Sequence, residues 1–375
     1  MATVTDRRSL ALLALGGFAL LAGLLGALAL LGIGVPRETM ALAPSHGVLM
    51  AFGFLGTVIA LERAVALGAR WASLAPLASG LAAASLILGV DGPLPGLLLL
   101  SGSLVFVAMY VAFDRVEVAL HTRTQAVGGM AWVVAALLWL GQQPVSTIVP
   151  WMAAFLVLTI AGERLELSRL GRLEPSARRT FVAAVALFLT GAALSLLIPD
   201  AGVRVAGLGL LGMTAWLAIH DLARRTVRTP GVTRFIALCL LIGYGWLALA
   251  GALWLGFGAA VGTAYDAQLH ALFLGFVISM VFGHAPVIVP AVLRVPLPYR
   301  PRFYGHLAVL HVGLLLRVVG GDLLGVPWLL TVGGVMNVAA LVLFVASSVT
   351  AVAQALAARR SVAIVPRAAS REATH

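Results

Sequence analysis

The sequence has no lysine, one cysteine and few charges of either sign: charged residues make up 10% of it, against 61% hydrophobic. Each shortage excludes something. The lone Cys239, inside an apolar run, excludes an intrachain disulfide and a thiolate metal site, so a metal would need histidine, methionine or oxygen ligands. So few charges in 375 residues, at a mean hydropathy of +1.06, exclude a soluble domain, because one core cannot hide that much apolar surface. Strand-period alternation is also missing, which argues against a membrane barrel. The net charge of +11 is all arginine, and almost all of it lies in short gaps between apolar runs. That pattern reports membrane topology rather than a nucleic-acid surface, and the expected partner is the lipid bilayer.

What is present is a series of apolar runs of roughly 17 to 25 residues, the length needed to cross a bilayer as a helix. They predict an all-α, polytopic transmembrane bundle of about twelve helices. The spans fall near Ser9 to Ile33, Pro44 to Ala66, Ala72 to Val90, Leu97 to Phe113, Gln125 to Leu140 and Val145 to Gly162. The second half continues with Thr180 to Ile198, Gly202 to His220, Phe235 to Leu255, Ala264 to Val289, Tyr304 to Val319 and Val326 to Ala357. With twelve spans, all arginines but Arg37, Arg204 and Arg317 fall on one side of the membrane. The positive-inside bias then puts both termini in the cytoplasm of a bacterial cell, in a multi-pass inner-membrane protein. Residues 1–375 read as one integral membrane domain, with 358–375 as a cytoplasmic tail. Trp139, Trp151, Trp254 and Trp328 gather toward the outer side, as an interfacial belt would.

A weak two-half repeat is suggested by Ala60-Leu61-Glu62-Arg63 and Ala161-Gly162-Glu163-Arg164, which close the second and sixth spans. Both phrases read as interfacial ion pairs. Tyr244 and Asn337 are mid-membrane polar groups expected to make packing hydrogen bonds.

Histidines carry the chemistry, because polar side chains at membrane depth are costly. Of the eight, His375, His121 and His220 fall in the tail, a loop and a helix end, where solvated or capping roles are expected. His46 and His270 lie near the outer ends of the second and tenth spans, which run in the same direction. His284 follows His270 by 14 positions, about 21 Å along a helix, so it belongs to the inner half with His311, and His306 is nearer the surface. Two histidines from different helices at one depth suit axial ligation of haem iron. The stretches after His46 and His270 alternate small and aromatic residues, which leaves room for a flat macrocycle. Arg317 could meet haem propionates or pair with Asp322. The inner set, His284 with His311 or His306, could hold copper or another metal. Pro286, after Phe282-Gly283-His284-Ala285, predicts a broken tenth helix that would line a site or a path.

These residues carry a resemblance to the NnrS family of haem- and copper-containing membrane proteins linked to nitric oxide metabolism. His46, Met50, Phe52, Gly53 and Phe54 match that family's second-helix phrase; His270, Ala271, Leu272, Gly275 and Met280 match its late helix beginning His-Ala-Leu. Val48 stands where the family has a further histidine, and Gly283-His284-Ala285-Pro286 replaces its Gly-His-Thr-Gly-Arg ending. A broader likeness is to haem-copper oxidase subunit I, whose second and tenth helices also hold a haem. Gln268 before His270 in place of that family's His-x-His excludes a terminal oxidase. The resemblance implies a haem held by His46 and His270, with Met50 and Arg317 at its edge and a diatomic gas or redox partner. Two rival expectations are a transporter built on the tenth helix and an accessory factor for a respiratory complex.

Overall fold

The chain is seen in a computed structural model that describes residues 7–168 and 174–364. Residues 169–173 of the basic stretch after the sixth span, and 365–375 of the expected tail with His375, lie outside the described residues. Twelve long helices follow one another: α1 Arg7–Leu30, α2 Ala43–Leu67, α3 Leu74–Ile87, α4 Leu94–Val116, α5 Leu120–Leu140 and α6 Val145–Leu167. Then come α7 Pro175–Leu194, α8 Pro199–His220, α9 Val232–Phe257, α10 Gly262–Leu293, α11 Phe303–Leu323 and α12 Pro327–Ile364. All but α3 are long and apolar enough to cross a membrane. The α3 helix has only 14 residues, entered through a 3-10 turn at Arg70–Ser73, and it stops short of the expected Val90 at Gly89, whose φ is +66°.

These helices need lipid around them because the apolar surface continues on the outside: Phe18, Leu104, Val111 and Val349 are all exposed. Inside, small residues let backbones approach. A methyl on Gly96 of α4 would come 2.9 Å from the Leu140 side chain of α5, and one on Gly128 of α5 would come 3.1 Å from the Phe155 carbonyl of α6. The α6 helix is the most enclosed span and α12 the least. Around α6, the helices α2 and α10 touch one another, and α1 closes against α12.

The interior departs from sequence expectation in three places. Trp254 is buried rather than interfacial, while Trp328 is 64% exposed. His121, expected in a loop with a solvated or capping role, is buried, and so is Asp221 beside His220. The α10 helix is not broken: it runs through Pro286 and Pro290 to Leu293. Each proline removes one helical donor, but the flanking turns keep theirs and neighbouring helices hold the segment in place. The real irregularity in α10 lies earlier. Three spans contain wide π-helical stretches, Leu49–Gly56 in α2, Ala271–Ile278 in α10 and Leu315–Leu323 in α11. Such stretches are rare and concentrate at functional sites.

Candidate functional site

All three π-helical stretches border one cavity of about 110 Å³, to which they contribute Met50, Ala51 and Leu55, then Phe273, Leu274 and Ile278, then Arg317. The remaining wall comes from α1, α6 and α12, and it is almost wholly apolar. His46 and His270 both line it.

His46 is placed by a 3-10 turn over Ala43–Ser45 with Pro44 at its start, so the ring enters the bundle at the first turn of α2. Its Nδ1–H donates to the Gly23 carbonyl of α1 at 2.7 Å. His270 ends the regular first part of α10, and its Nδ1–H donates to the Asp266 carbonyl at 2.8 Å, with the Asp266 carboxylate 3.2 Å away. In both rings the tautomer is therefore fixed with the proton on Nδ1, and Nε2 is an unshared donor atom without a hydrogen bond. A carbonyl or carboxylate that accepts from the far nitrogen is the usual setting of a metal-binding histidine.

Met50 follows His46 by about one turn and lies against Gly23, where a methyl group would come 2.7 Å from its sulfur. Arg317 does not pair with Asp322. Its Nε and Nη2 donate to both carboxylate oxygens of Asp266, at 2.8 to 3.2 Å, which ties α11 to α10. Asp322 is left with both oxygens buried and no hydrogen bond. No motif marks Asp266 in the sequence, although its position four residues before His270 puts it on the same helical face.

The inner histidines each have partners of another kind. His284 donates from Nδ1 to the Met280 carbonyl at 2.6 Å, and its Nε2 accepts from Arg164 Nη1 at 3.1 Å. His311 Nδ1 accepts from Trp246 Nε1 at 3.0 Å, which leaves the ring proton on Nε2, facing Ser279. Neither ring keeps a free lone pair for a metal. His306 has no polar partner and is boxed by Phe235, Phe282, Phe303 and Phe344. Among the described residues no three His, Cys, Asp or Glu side chains form a group able to hold a metal ion. The inner copper site expected from sequence draws no support from these partners.

In its place stands a buried polar network. Arg164 Nε donates to Asp221 Oδ2 at 2.8 Å, and Tyr244 donates to the same oxygen at 2.8 Å. Arg63 bonds to its neighbour Glu62 and reaches Glu163 at 3.7 Å, so the two Glu-Arg phrases meet in space. Asn337 makes the packing bond expected of it, from Nδ2 to the Leu310 carbonyl at 2.9 Å.

No curated protein and no solved structure matches the chain. One family model does, over residues 8–353, and it is described as a domain of unknown function, DUF8744. The match covers most of the sequence, so the chain, a multi-pass helical membrane protein, belongs to the DUF8744 family.

Proposed function

We propose that the protein is a haem-binding integral membrane protein in which His46 and His270 are the axial ligands. The observation that carries this is the pair itself: two histidines from α2 and α10, lining one apolar cavity, each with Nδ1–H committed to a carbonyl and Nε2 free. The donor set fits the group, since neutral imidazole is the common axial ligand of haem iron. The cavity itself, at about 110 Å³, is smaller than the roughly 300 to 1,000 Å³ usual for cofactor sites, so the reading rests on the donor atoms and not on the space around them. Arg317 also borders the cavity and keeps Nη1 free of Asp266, which suits a propionate, and Met50 would pack at the ring edge. A bound haem would supply one-electron chemistry and an iron centre for a diatomic gas.

The likeness of the His46 and His270 phrases to NnrS proteins supports the same reading, with a role in nitric oxide response or respiratory redox chemistry. The arginine asymmetry supports a bacterial inner membrane with both termini in the cytoplasm. A second reading, proton-coupled transport, draws on the buried Arg164, Asp221, Tyr244 and His284 network and requires no chromophore.

The visible spectrum of protein purified in detergent after haem-replete expression separates the two. A Soret band that is lost or altered in His46→Ala and His270→Ala is expected. A colourless protein, or a band indifferent to both substitutions, sinks the haem assignment.

A further inference from the structure

We infer that a second cavity, at the arginine-poor end of the bundle, is a binding site for a neutral aromatic ring that carries a hydroxyl group. The inference goes beyond the haem reading and does not depend on it, because neither His46 nor His270 lines this cavity.

The cavity has a volume of about 210 Å³ and lies between α6, α8, α9 and α10, with only Val149 and Leu269 also lining the histidine cavity. The turn between α9 and α10 that walls it is tied from two helices. Arg204 Nη1 of α8 donates to the Leu255 and Gly256 carbonyls at 2.8 and 2.7 Å. Gln268 Nε2 of α10 donates to the Leu253 and Gly258 carbonyls at 3.2 and 2.9 Å. The space is therefore formed in advance, as small-molecule sites usually are.

The Gln268 bonds also set the chemistry. Both partners are carbonyls, so the atom facing them must be the amide nitrogen, which leaves Oε1 without a donor among the described residues. Gln268 is 3% exposed and lines the cavity, so a ligand hydroxyl would supply the donor that Oε1 lacks. The Tyr265 hydroxyl, on the same wall, has no hydrogen-bond partner either.

Size and charge narrow the ligand. No charged side chain and no histidine lines the cavity, which disfavours an ion. An apolar cavity of about 150 Å³ holds benzene, so this one takes a six-membered ring with substituents. Pro150, Pro199, Val203 and Trp254 give apolar wall, which suits a ring face better than a polyhydroxylated sugar. At the rim Val261 is 86% exposed, and Leu197 and Ile198, between the wall residues Ser195 and Pro199, are exposed as well. Such an apolar rim admits a quinol headgroup from the lipid as readily as a free phenol from water.

The probe is para-fluorophenol, followed by fluorine NMR with the protein in lipid nanodiscs and with empty nanodiscs as the baseline. Saturable binding to the parent is expected, with fluorobenzene, which lacks the hydroxyl, about two- to tenfold weaker. Tyr265→Phe and Gln268→Met are expected to weaken para-fluorophenol by a similar factor. Tyr265→Phe should leave fluorobenzene unchanged, because the hydroxyl it removes bonds nothing in the protein. Val203→Phe, which fills the cavity from α8, is expected to abolish binding of both. Displacement of the probe by a long-tailed quinol at lower concentration than by tailless hydroquinone assigns a membrane source, and the reverse order a soluble one. No saturable binding to the parent, equal binding of fluorobenzene, indifference to both Tyr265→Phe and Gln268→Met, or undiminished binding in Val203→Phe overturns the inference. Each of these results leaves the haem reading to be decided by the Soret band.

Discussion

Arg164 Nη1 stands 3.1 Å from His284 Nε2, so the histidine expected to hold an inner metal instead accepts a hydrogen bond from a guanidinium. The same guanidinium is bonded to Asp221, and the pair is buried among α6, α8, α9 and α10. Removing one partner of a buried ion pair leaves the other charge uncompensated, which costs about 3 to 5 kcal/mol. Arg164→Leu and Asp221→Leu are each expected to lower the thermal midpoint of the detergent-solubilised protein strongly. The double substitution is expected to recover part of the loss, because no lone charge remains. Single variants with the parent midpoint would contradict the buried pair.

The copper content of the protein follows from the same geometry. With His284 and His311 both lacking a free lone pair, and His306 enclosed by phenylalanines, none of the three is placed to bind a metal. His284→Ala, His306→Ala and His311→Ala are expected to leave copper per mole of purified protein unchanged. Metal analysis by mass spectrometry checks this, and a stoichiometric loss in any one variant would restore an inner site.

Arginine sidedness can be tested with little interference, because the lone native cysteine, Cys239, is fully buried. Gln142→Cys in the turn between α5 and α6 is expected to react with a membrane-impermeant maleimide in intact cells. Thr229→Cys in the loop between α8 and α9 is expected to react only after the cells are opened. The reverse pattern would invert the topology.

The twelve helices were legible because hydrophobic length is a local property of sequence, and α3 fell short of a full span where one glycine, Gly89, ends it early. The pairing of His46 with His270 was legible for a similar reason. Two helices running the same way put their outer ends at one depth, and depth can be counted along the chain. Direction around the helix axis cannot be counted so simply, because the π-helical stretches over Ala271–Ile278 and Leu315–Leu323 change the angle each residue faces. His284, which follows the first of these stretches, was expected at one level with His311, yet the two face Arg164 and Trp246 in the fold. Asp322, five residues from Arg317, looked like its partner, yet Asp266 on another helix holds that place. Nothing in the sequence marks Asp221 as buried, since it sits beside an arginine-rich loop as a surface residue would.

Asp322 yields a prediction opposite in sign to the usual one. Its two oxygens are buried without a donor, and it faces Asp266, whose carboxylate already holds Arg317. Asp322→Asn replaces an acceptor that has no donor with an amide that can donate to Asp266, so it is expected to be neutral or to stabilise by about 1 kcal/mol. Asp266→Asn, in contrast, breaks the Arg317 fork and is expected to destabilise. Thermal unfolding of the two variants in parallel checks the ordering, and a strong destabilisation by Asp322→Asn would refute it.

The position of His46 depends on one close approach. A methyl group on Gly26 of α1 would come 2.9 Å from the Leu42 carbonyl oxygen and 3.4 Å from His46 Cβ. The first obstacle is backbone, which cannot rotate away as a long side chain could, so the turn that delivers His46 into the cavity must move. Gly26 also lies in the middle of a helix, where alanine is intrinsically favoured by about 0.5 to 1 kcal/mol, so propensity and packing pull in opposite directions. Gly26→Ala is therefore expected to change global stability little while displacing His46 from the cavity. If His46 is a haem ligand, the Soret band of Gly26→Ala should resemble that of His46→Ala more than that of the parent. Gly17→Ala, which meets nothing within 4 Å, is the matched control on the same helix and should leave the spectrum unchanged. A parent-like spectrum for Gly26→Ala, at unchanged stability, would mean that the Leu42 turn does not fix the ring.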